Sequence, residues 1–575
     1  MGSAGRPTVG HRVLVLGRDT RSFLAVIRSL GRKGVEVHVS GASADSPSLR
    51  SRYVAYNHEL PAYHESPDAW IAAMRSLVER QHFDLVIPCD DPSILRLTAY
   101  ESSGGGNSAL ELLPRELREF TSSKQRVYET AARLGIPVPV SSLVETRHEL
   151  ATAIGSMRPP YVLKPLASFD ASDTVNRREV RKAFSSEDAF SIGLNLLRRS
   201  PIQVQENFIG VGTGVEFLAA SGEIRCVFQH IRLHEPLHGG GSSYRMGIPV
   251  HPRMRAAAEA LVRDLYYDGV GMLEFKWNRT TDAFVLIELN ARFWGSLPLA
   301  VASGADFPWF LFRYRVFGDR NFTGAFRTGI RSRHFTQDVE WLRSNFANDR
   351  HDAMLATLPW TSVARELWPI VRGQERIDSL AADDLMPFFV ELRAWTVGVA
   401  FYIARKLRHL SRQFGWPRRI RTRLLRQRLR SARSIEFVCY GNICRSPFAA
   451  AVASDLHAKG QLRPTARSSG LHAREGCASP DLAISVASDF GIDLSRHRSQ
   501  PLTHERVNEA DLILVFDWAN FDGVRSRFPQ ARHKVFLMGE LDTFSALIIA
   551  DPYGRSRGAF EDVYRRVLAS LREAC

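Results

Sequence analysis

The chain has 575 residues and a formal net charge of +15, with 45% hydrophobic and 24% charged residues. That length exceeds what one ordinary core holds, so three or four domains are expected, and the composition excludes a disordered chain. The charge is a nucleic-acid signal only until it is located: Arg405 to Arg433 holds twelve Lys/Arg and no Asp/Glu, with no aromatic-interleaved basic motif, so nucleic acid is not expected as a partner. Six scattered cysteines (Cys89, Cys226, Cys439, Cys444, Cys477, Cys575) show no disulfide or zinc spacing, which points to a reducing cytoplasm. Met1–Arg12 is small and polar, and no signal peptide is read there.

In chain order, Arg12–Gly17 (RVLVLG) reads as a buried strand and Ser22–Lys33 as a helix. Val35–Ser40 and Asp84–Pro88 read as further strands, a β-α-β start to a parallel sheet. No G-x-G-x-x-G follows the first strand, so a dinucleotide site is not expected. Ser102–Asn107 (SSGGGN) reads as a flexible surface loop. Ser123–Leu134 is a helix ended by Gly135, and strands follow at Tyr161–Pro165, Ile202–Glu206, Gly271–Trp277 and Phe284–Asn290. Residues 320–385 carry helical patterns without evident chemistry. Leu385–Ala404 is apolar but interrupted by Glu391 and Arg393, leaving an uncharged run of 11 residues, Ala394–Ala404, against the roughly 20 of a span. Two readings stay open: a packed helix followed by a solvated basic helix, or an interfacial helix with a polybasic arm on anionic lipid. Ser434–Val438 is a strand, and Pro447 opens a helix over Phe448–Lys459.

Two strands joined by a short turn, Asn278–Ala283, put Glu274 beside Glu288 and Asn290. Positions two apart on a strand share a face. Such hard oxygen donors suit Mg²⁺ bridging nucleotide phosphates. Arg292 is placed to meet a phosphoryl or acyl-phosphate oxygen, and Lys124 and Lys164 add charge for phosphates. Glu206 ends a strand where a hinge holds a nucleoside, and the loop Gly239–Tyr244 (GGGSSY) offers backbone N–H groups over a triphosphate. Each feature alone is weak, since a strand glutamate is usually solvated and a Gly-rich loop is usually a turn. In combination and order, S-K-Q-R…L-G-I-P-V-P, Y-V-L-K-P, V-Q-E-N-F-I-G, H-I-R-L-H-E-P-L-H-G-G-G-S-S and E-F…I-E-L-N-A-R resemble the ATP-grasp superfamily over residues 12–320. The resemblance implies a pre-grasp domain and an ATP-grasp α+β domain of the carboxylate–amine ligase type. It implies ATP as cofactor, with Lys124, Lys164 and Glu206 holding it, and Mg²⁺ or Mn²⁺ on Glu274, Glu288 and Asn290. It implies Arg292 on the acyl phosphate, and carboxylate and amine substrates. Arg232 and the His234–His238 region are candidates for a substrate carboxylate.

Cys439-Tyr-Gly-Asn-Ile-Cys-Arg-Ser-Pro sits between a strand and a helix N-terminus. Successive N–H groups and the helix dipole there make an anion site, and the same field favours a thiolate at Cys439. Arg445 can grip two phosphoryl oxygens, Ser446 can donate to the thiolate, and Gly441 and Asn442 permit a tight loop. A leaving group needs an acid, and Asp551-Pro552-Tyr553 supplies one, Tyr553 standing to flank an aryl group. With S-S-G-L (468–471), S-R-H-R-S-Q-P-L (495–502), A-D-L-I-L-V-F-D (510–517) and D-P-Y-G (551–554), this resembles the low-molecular-weight protein tyrosine phosphatases over 434–573. The resemblance implies Cys439 as nucleophile, Arg445 as phosphate binder, Ser446 as thiolate partner, Asn442 as loop organiser, Asp551 as general acid, and a reversible disulfide from Cys444 to Cys439. Pro447 argues against the related arsenate reductases, which have Gln there. Gly554 and the segment Leu471–Gly476 depart from many members, look like the bacterial polysaccharide-associated branch, and loosen the substrate class to a phosphotyrosine protein or a small phosphomonoester.

The expected fold class is therefore multidomain α/β: a pre-grasp Rossmann-like domain (1–115), an ATP-grasp α+β domain (116–320), a helical region with basic linker (321–433), and a parallel-sheet three-layer α/β phosphatase domain (434–575). The expected function is a bifunctional ligase and phosphatase; the alternative is a phosphatase regulating polysaccharide assembly with a nucleotide-sensing grasp module. Cytoplasm is the expected location, peripheral at the inner face of the membrane if 385–433 binds lipid.

Overall fold

A computed structural model describes residues 10–18, 21–106, 109–166, 180–235, 241–322, 326–347, 357–366, 368–413, 415–541 and 546–574. The chain divides into two compact units, Met1–Trp395 and Thr396–Cys575.

The first unit opens with β1 (Arg12–Leu16), α1 (Arg21–Arg32), β2 (Glu36–Ser40), β3 (Val54–Asn57), β4 (Leu85–Pro88) and α2 (Asp91–Tyr100). The four strands form a parallel sheet in the order β3-β2-β1-β4. Alternation decides its two faces: Val13, Val15, Leu85 and Ile87 enter one core, Leu14, Leu16 and Val86 the other. The expected flexible loop at 102–107 is instead, over Glu101–Gly105, a π-type turn continuing α2, with Gly105 buried on the Tyr100 ring. Asn107 lies outside the described residues.

After α3 (Lys124–Arg133), β5 (Ser141–Val144), β6 (Tyr161–Pro165), β7 (Arg181–Ala183) and β8 (Ile202–Glu206) form an antiparallel sheet ordered β5-β8-β6-β7. A larger sheet follows, built from β9 (Val211–Ala220), β10 (Glu223–His234), β11 (Tyr244–Ile248), β12 (Gly269–Asn278), β13 (Ala283–Asn290), β14 (Arg331–Arg333) and β15 (Glu375–Ile377), ordered β13-β12-β9-β10-β11-β14-β15. A parallel sheet followed by two sheets of this kind agrees with the expected pre-grasp and grasp arrangement. Residues 321–433 do not form a unit of their own. β14 and β15 extend the large sheet, tied in by Arg333 to Glu375 (2.7 Å) and Tyr244 to Glu375 (2.7 Å).

Helix α4 (Met386–Gln413) is 28 residues long and almost wholly uncovered, which overturns the packed-helix reading. Over Met386–Arg412 it is long and apolar enough, by length and composition, to cross a membrane, so the 11-residue uncharged run understates it. Its start is anchored in the first unit, where Phe388 and Trp395 lie edge-on to Phe335 and Thr336 donates to Glu391 (3.0 Å). Its end is anchored in the second unit, where His409 stacks on Trp518 at 4.0 Å and meets Asp522 at 3.0 Å.

In the second unit, α5 (Gly415–Ser431) is basic but not merely solvated. Leu425 and Leu429 are buried in the core, and Arg421 pairs with the fully buried Glu540 at 2.6 Å. The sheet comprises β16 (Ser434–Cys439), β17 (Thr465–Gly470), β18 (Leu512–Val515) and β19 (Val535–Leu537), all parallel in the order β17-β16-β18-β19. Ile435, Phe437, Leu512 and Leu514 face one core and Val438, Ile513 and Val515 the other, giving three layers. Helix α6 (Arg445–Ala458) begins at Arg445, earlier than Pro447, so the arginine belongs to the first turn. α7 (Trp518–Arg527) and α8 (Arg557–Ala574) complete the layers.

Candidate active sites

In the second unit, β16 delivers Cys439 to the loop ahead of α6. Cys439 Sγ lies 3.0 Å from Ser446 Oγ and accepts the Asn442 backbone N–H at 3.2 Å. Asn442, expected as loop organiser, has a fully engaged side chain. Its amide nitrogen donates to Ser446 and Ser468 (both 2.9 Å), and its carbonyl oxygen accepts from Gln500 N at 2.8 Å. Its φ of +54° is left-handed, whereas Gly441 is not, so the tight turn rests on Asn442 rather than on both. Gly470 explains the S-S-G-L motif: a Cβ there would stand 2.8 Å from Asn442 N.

Arg445 is 1% exposed and donates to Asp551 (2.6 Å), Asp517 (2.7 Å) and the Ile549 carbonyl (3.1 Å). Burial opposes its charge, but the Cys439 sulfur and the Asp551 and Asp517 carboxylates outweigh it, and the guanidinium is held above its ordinary value. Sequence reasoning assigned no role to Asp517, which caps α7 and shares Arg445 with Asp551. It closes the quoted A-D-L-I-L-V-F-D run, which was the available signal. Burial, then Cys439 and Asp551, push the Cys444 thiol up. Cys439 and Cys444 are both buried and free, as are Cys89 and Cys226; Cys477 is free and exposed. At the rim, Tyr440 and Tyr553 are 57% and 58% exposed, and His472 lies against Tyr440 at 4.7 Å. His472 thus puts a ring into the segment that lacks tryptophan.

In the first unit, the register pairs Glu274 on β12 with Glu288 on β13, and Met272 with Asn290. Lys124, Glu288, Asn290 and Arg292 line one cavity, with Lys124 Nζ 3.6 Å from Glu288. Lys164 is buried and donates to Gln205 at 2.8 Å, a partner sequence reasoning missed. Burial, then the neighbouring Lys124 ammonium, pull Lys164 down to about 8. Glu206 is not free for a nucleoside, because its carboxylate accepts from Arg158 N at 2.9 Å. Arg292 is not free either: it forks onto Asp91.

Arg232, expected as a carboxylate binder, is neutralised by Glu274 at 2.7 Å and Glu235 at 3.4 Å. Burial raises the Glu274 carboxyl, and Arg232 more than reverses this, keeping it ionised. His234 stacks on Trp341 at 3.4 Å and bonds Asp338 (2.8 Å) and Glu366 (3.0 Å), a structural role. Residues 236–240, including His238 and the start of the Gly-rich loop, lie outside the described residues. Ser243 and Tyr244 are buried, and Tyr244 begins β11. Among the described residues, no group of three His, Cys, Asp or Glu side chains is placed to hold a metal ion. The set left is two carboxylates opposite each other in register and one amide oxygen. Glu274 is held by Arg232 at 2.7 Å, so that set fits a Mg²⁺ that keeps several waters once this ion pair opens.

Residues 434–575 match the family model for low molecular weight phosphotyrosine protein phosphatase. A probable low molecular weight protein-tyrosine-phosphatase, EpsP, of Ralstonia nicotianae is 39% identical over 137 residues, 24% of this chain and 88% of the relative. A protein-arginine-phosphatase of Bacillus subtilis is 34% identical, covering 24% of this chain and 89% of its own length. An L-amino acid ligase structure from Bacillus licheniformis aligns with 56% of this chain and 79% of its own at 15% identity and a TM-score of 0.44.

Proposed function

Because the chain belongs, through residues 434–575, to the low molecular weight phosphotyrosine protein phosphatase family, we propose that its second unit hydrolyses an aryl phosphomonoester, phosphotyrosine foremost, by way of a phosphocysteine. The observation that carries this is the convergence of Cys439, Ser446, Arg445 and Asp551 on one loop-and-helix anion site. The Cys439 thiolate attacks phosphorus while Arg445 leaves its carboxylates for two phosphoryl oxygens. Asp551 gives its proton to the departing phenolic oxygen. Water then attacks the phosphocysteine, Asp551 takes a proton from it, and phosphate leaves as Ser446 donates to the returning thiolate. Tyr440 and Tyr553 supply apolar rims for a ring. The test is phosphotyrosine against phosphoarginine and alkyl phosphates: the reading expects the highest kcat/KM with phosphotyrosine, and a preference for phosphoarginine contradicts it.

For the first unit the reading is an ATP-dependent ligase. A substrate carboxylate oxygen attacks the γ-phosphorus of ATP, ADP leaves, and an amine displaces phosphate from the acyl phosphate. Lys124 and Lys164 hold phosphates, and Arg292 steadies the acyl phosphate. Glu274, Glu288 and Asn290 would hold Mg²⁺, which neutralises phosphate charge when bound. Glu206 would serve the adenosine part through its strand end, its carboxylate being occupied. ADP release on a panel of carboxylates and amines tests this. Turnover lost in Glu288→Gln supports a ligase, and ATP bound without any turnover makes the unit a nucleotide sensor instead.

A second reading concerns location: the protein works in the cytoplasm, peripheral at the inner face of an anionic membrane. What favours it is α4, where Val397, Phe401, Ile403 and Leu407 are 49, 76, 50 and 60% exposed and Arg405, Lys406 and Arg408 follow at once. Flotation with phosphatidylserine vesicles, lost on Phe401→Glu and at high salt, is the expected result; flotation unaffected by either refutes it.

A further inference from the structure

The first unit holds a cavity of about 200 Å³ lined by both charged and apolar side chains. Lys124, Glu288, Asn290 and Arg292 are among its polar groups. Its apolar lining includes Ile87, Ile94 and Leu112 from the N-terminal region and Val270, Leu289 and Phe293 from the large sheet and the turn after it. The remaining charged groups on its wall, Glu111 and Arg118, are paired with Arg315 and Glu101. Within this lining, Arg292 Nε meets Asp91 Oδ1 at 2.5 Å and Nη2 meets Oδ2 at 3.1 Å. That fork is the geometry an arginine uses for any carboxylate. Asp91 comes from the start of α2, 201 residues away, and occupies the place a ligand carboxylate would take.

We propose that this cavity binds a small monocarboxylate with an apolar tail, whose carboxylate exchanges with Asp91 on Arg292. Asp91 is then an internal counter-ion that must yield before substrate is seated. The carboxylate comes to lie beside Lys124 and Glu288, and the tail among Ile87, Ile94 and Leu112. What is done with the bound acid rests on the ligase reading above; the binding itself does not. The volume equals that of roughly six or seven waters, which suits a tail of roughly four to six carbons. A second carboxylate among these apolar walls would be buried without a partner, which disfavours dicarboxylates.

The experiment is calorimetric titration of the full-length protein, without nucleotide, with butanoate, hexanoate, decanoate, succinate and hexylamine. Hexanoate is expected to bind saturably, each methylene beyond butanoate raising affinity about fourfold, with decanoate, succinate and hexylamine much weaker. Leu112→Trp, which adds bulk to the apolar lining, should abolish hexanoate binding. Because a bulky residue there can also unsettle the core, Asp91→Asn is the decisive arm: it removes the competing carboxylate and should tighten hexanoate several-fold. Absent hexanoate binding, equal binding of hexylamine, or no tightening in Asp91→Asn overturns the proposal. MgATP is titrated separately. Its failure to bind beside intact hexanoate binding sinks the ligase reading and supports the cavity assignment.

Discussion

Asp551→Asn separates the general acid from everything else in the phosphatase site. Asp551 Oδ2 is 2.6 Å from Arg445 Nη2, and its Oδ1 accepts the Tyr553 N–H at 3.3 Å. Asparagine keeps the volume and one acceptor oxygen, so the loop stays anchored while the transferable proton is lost. General acid catalysis contributes about 10²–10⁴-fold, or about 3–5 kcal/mol of barrier. That loss should appear in kcat for phosphotyrosine, whose phenolate is a poor leaving group. With p-nitrophenyl phosphate, whose phenolate departs without a proton, the loss should be far smaller. Asp517→Asn is the control, since Asp517 also pairs with Arg445 at 2.7 Å yet caps a helix and is given no proton to transfer. It should act through KM and stability, without leaving-group dependence. Steady-state kinetics on both substrates decides the matter. Equal losses on the two substrates for Asp551→Asn, or leaving-group dependence in Asp517→Asn, would refute the assignment of the acid.

In the first unit, Lys164 sits at about 8 when free, and nucleotide phosphates should raise it toward the ordinary lysine range. MgATP binding near pH 8 should therefore take up a proton, and affinity should fall as pH rises through that value; titration calorimetry in buffers of different ionisation enthalpy reads this, and proton release contradicts it. The lowered value also means that the unfolded chain binds more protons above about pH 8, so this lysine makes stability rise with pH between there and its unfolded pKa. Leu425→Ala in α5 should destabilise the second unit by about 2–5 kcal/mol, because Leu425 is fully buried in its core. The urea midpoint for loss of aryl phosphatase activity measures it, and an unchanged midpoint would mean that α5 is only a solvated arm.

The catalytic loop is legible in the sequence because its groups lie within a few residues and carry their own backbone signals. Cys439, Asn442, Arg445 and Ser446 need only a strand, a left-handed turn and a helix start to converge. Glu274 and Glu288 are legible for a similar reason: a short turn fixes the register that sets them opposite one another. Asp91 and Asp517 are not, since each reaches its arginine from a distant element, 201 and 72 residues away, and only the tertiary fold brings them there. The same holds for Glu274, which joins the nearby Glu235 on Arg232 and closes off a cation that reads as available. β14 and β15 escape the periodicity because Arg-Ser-Arg and Glu-Arg-Ile show no apolar alternation. The basic stretch hides Leu425 and Leu429 among arginines, so a core element reads as a solvated one.

The claim on which the account turns is that Cys439 carries the phosphoryl group. Rapid acid quench of the full-length protein turning over radiolabelled phosphotyrosine, followed by peptide mapping, tests it most directly. The account predicts label on the peptide holding Cys439, absent when Cys439 is replaced by serine under the same brief quench. Label on any other residue, or hydrolysis that persists undiminished without the Cys439 thiol, would contradict it.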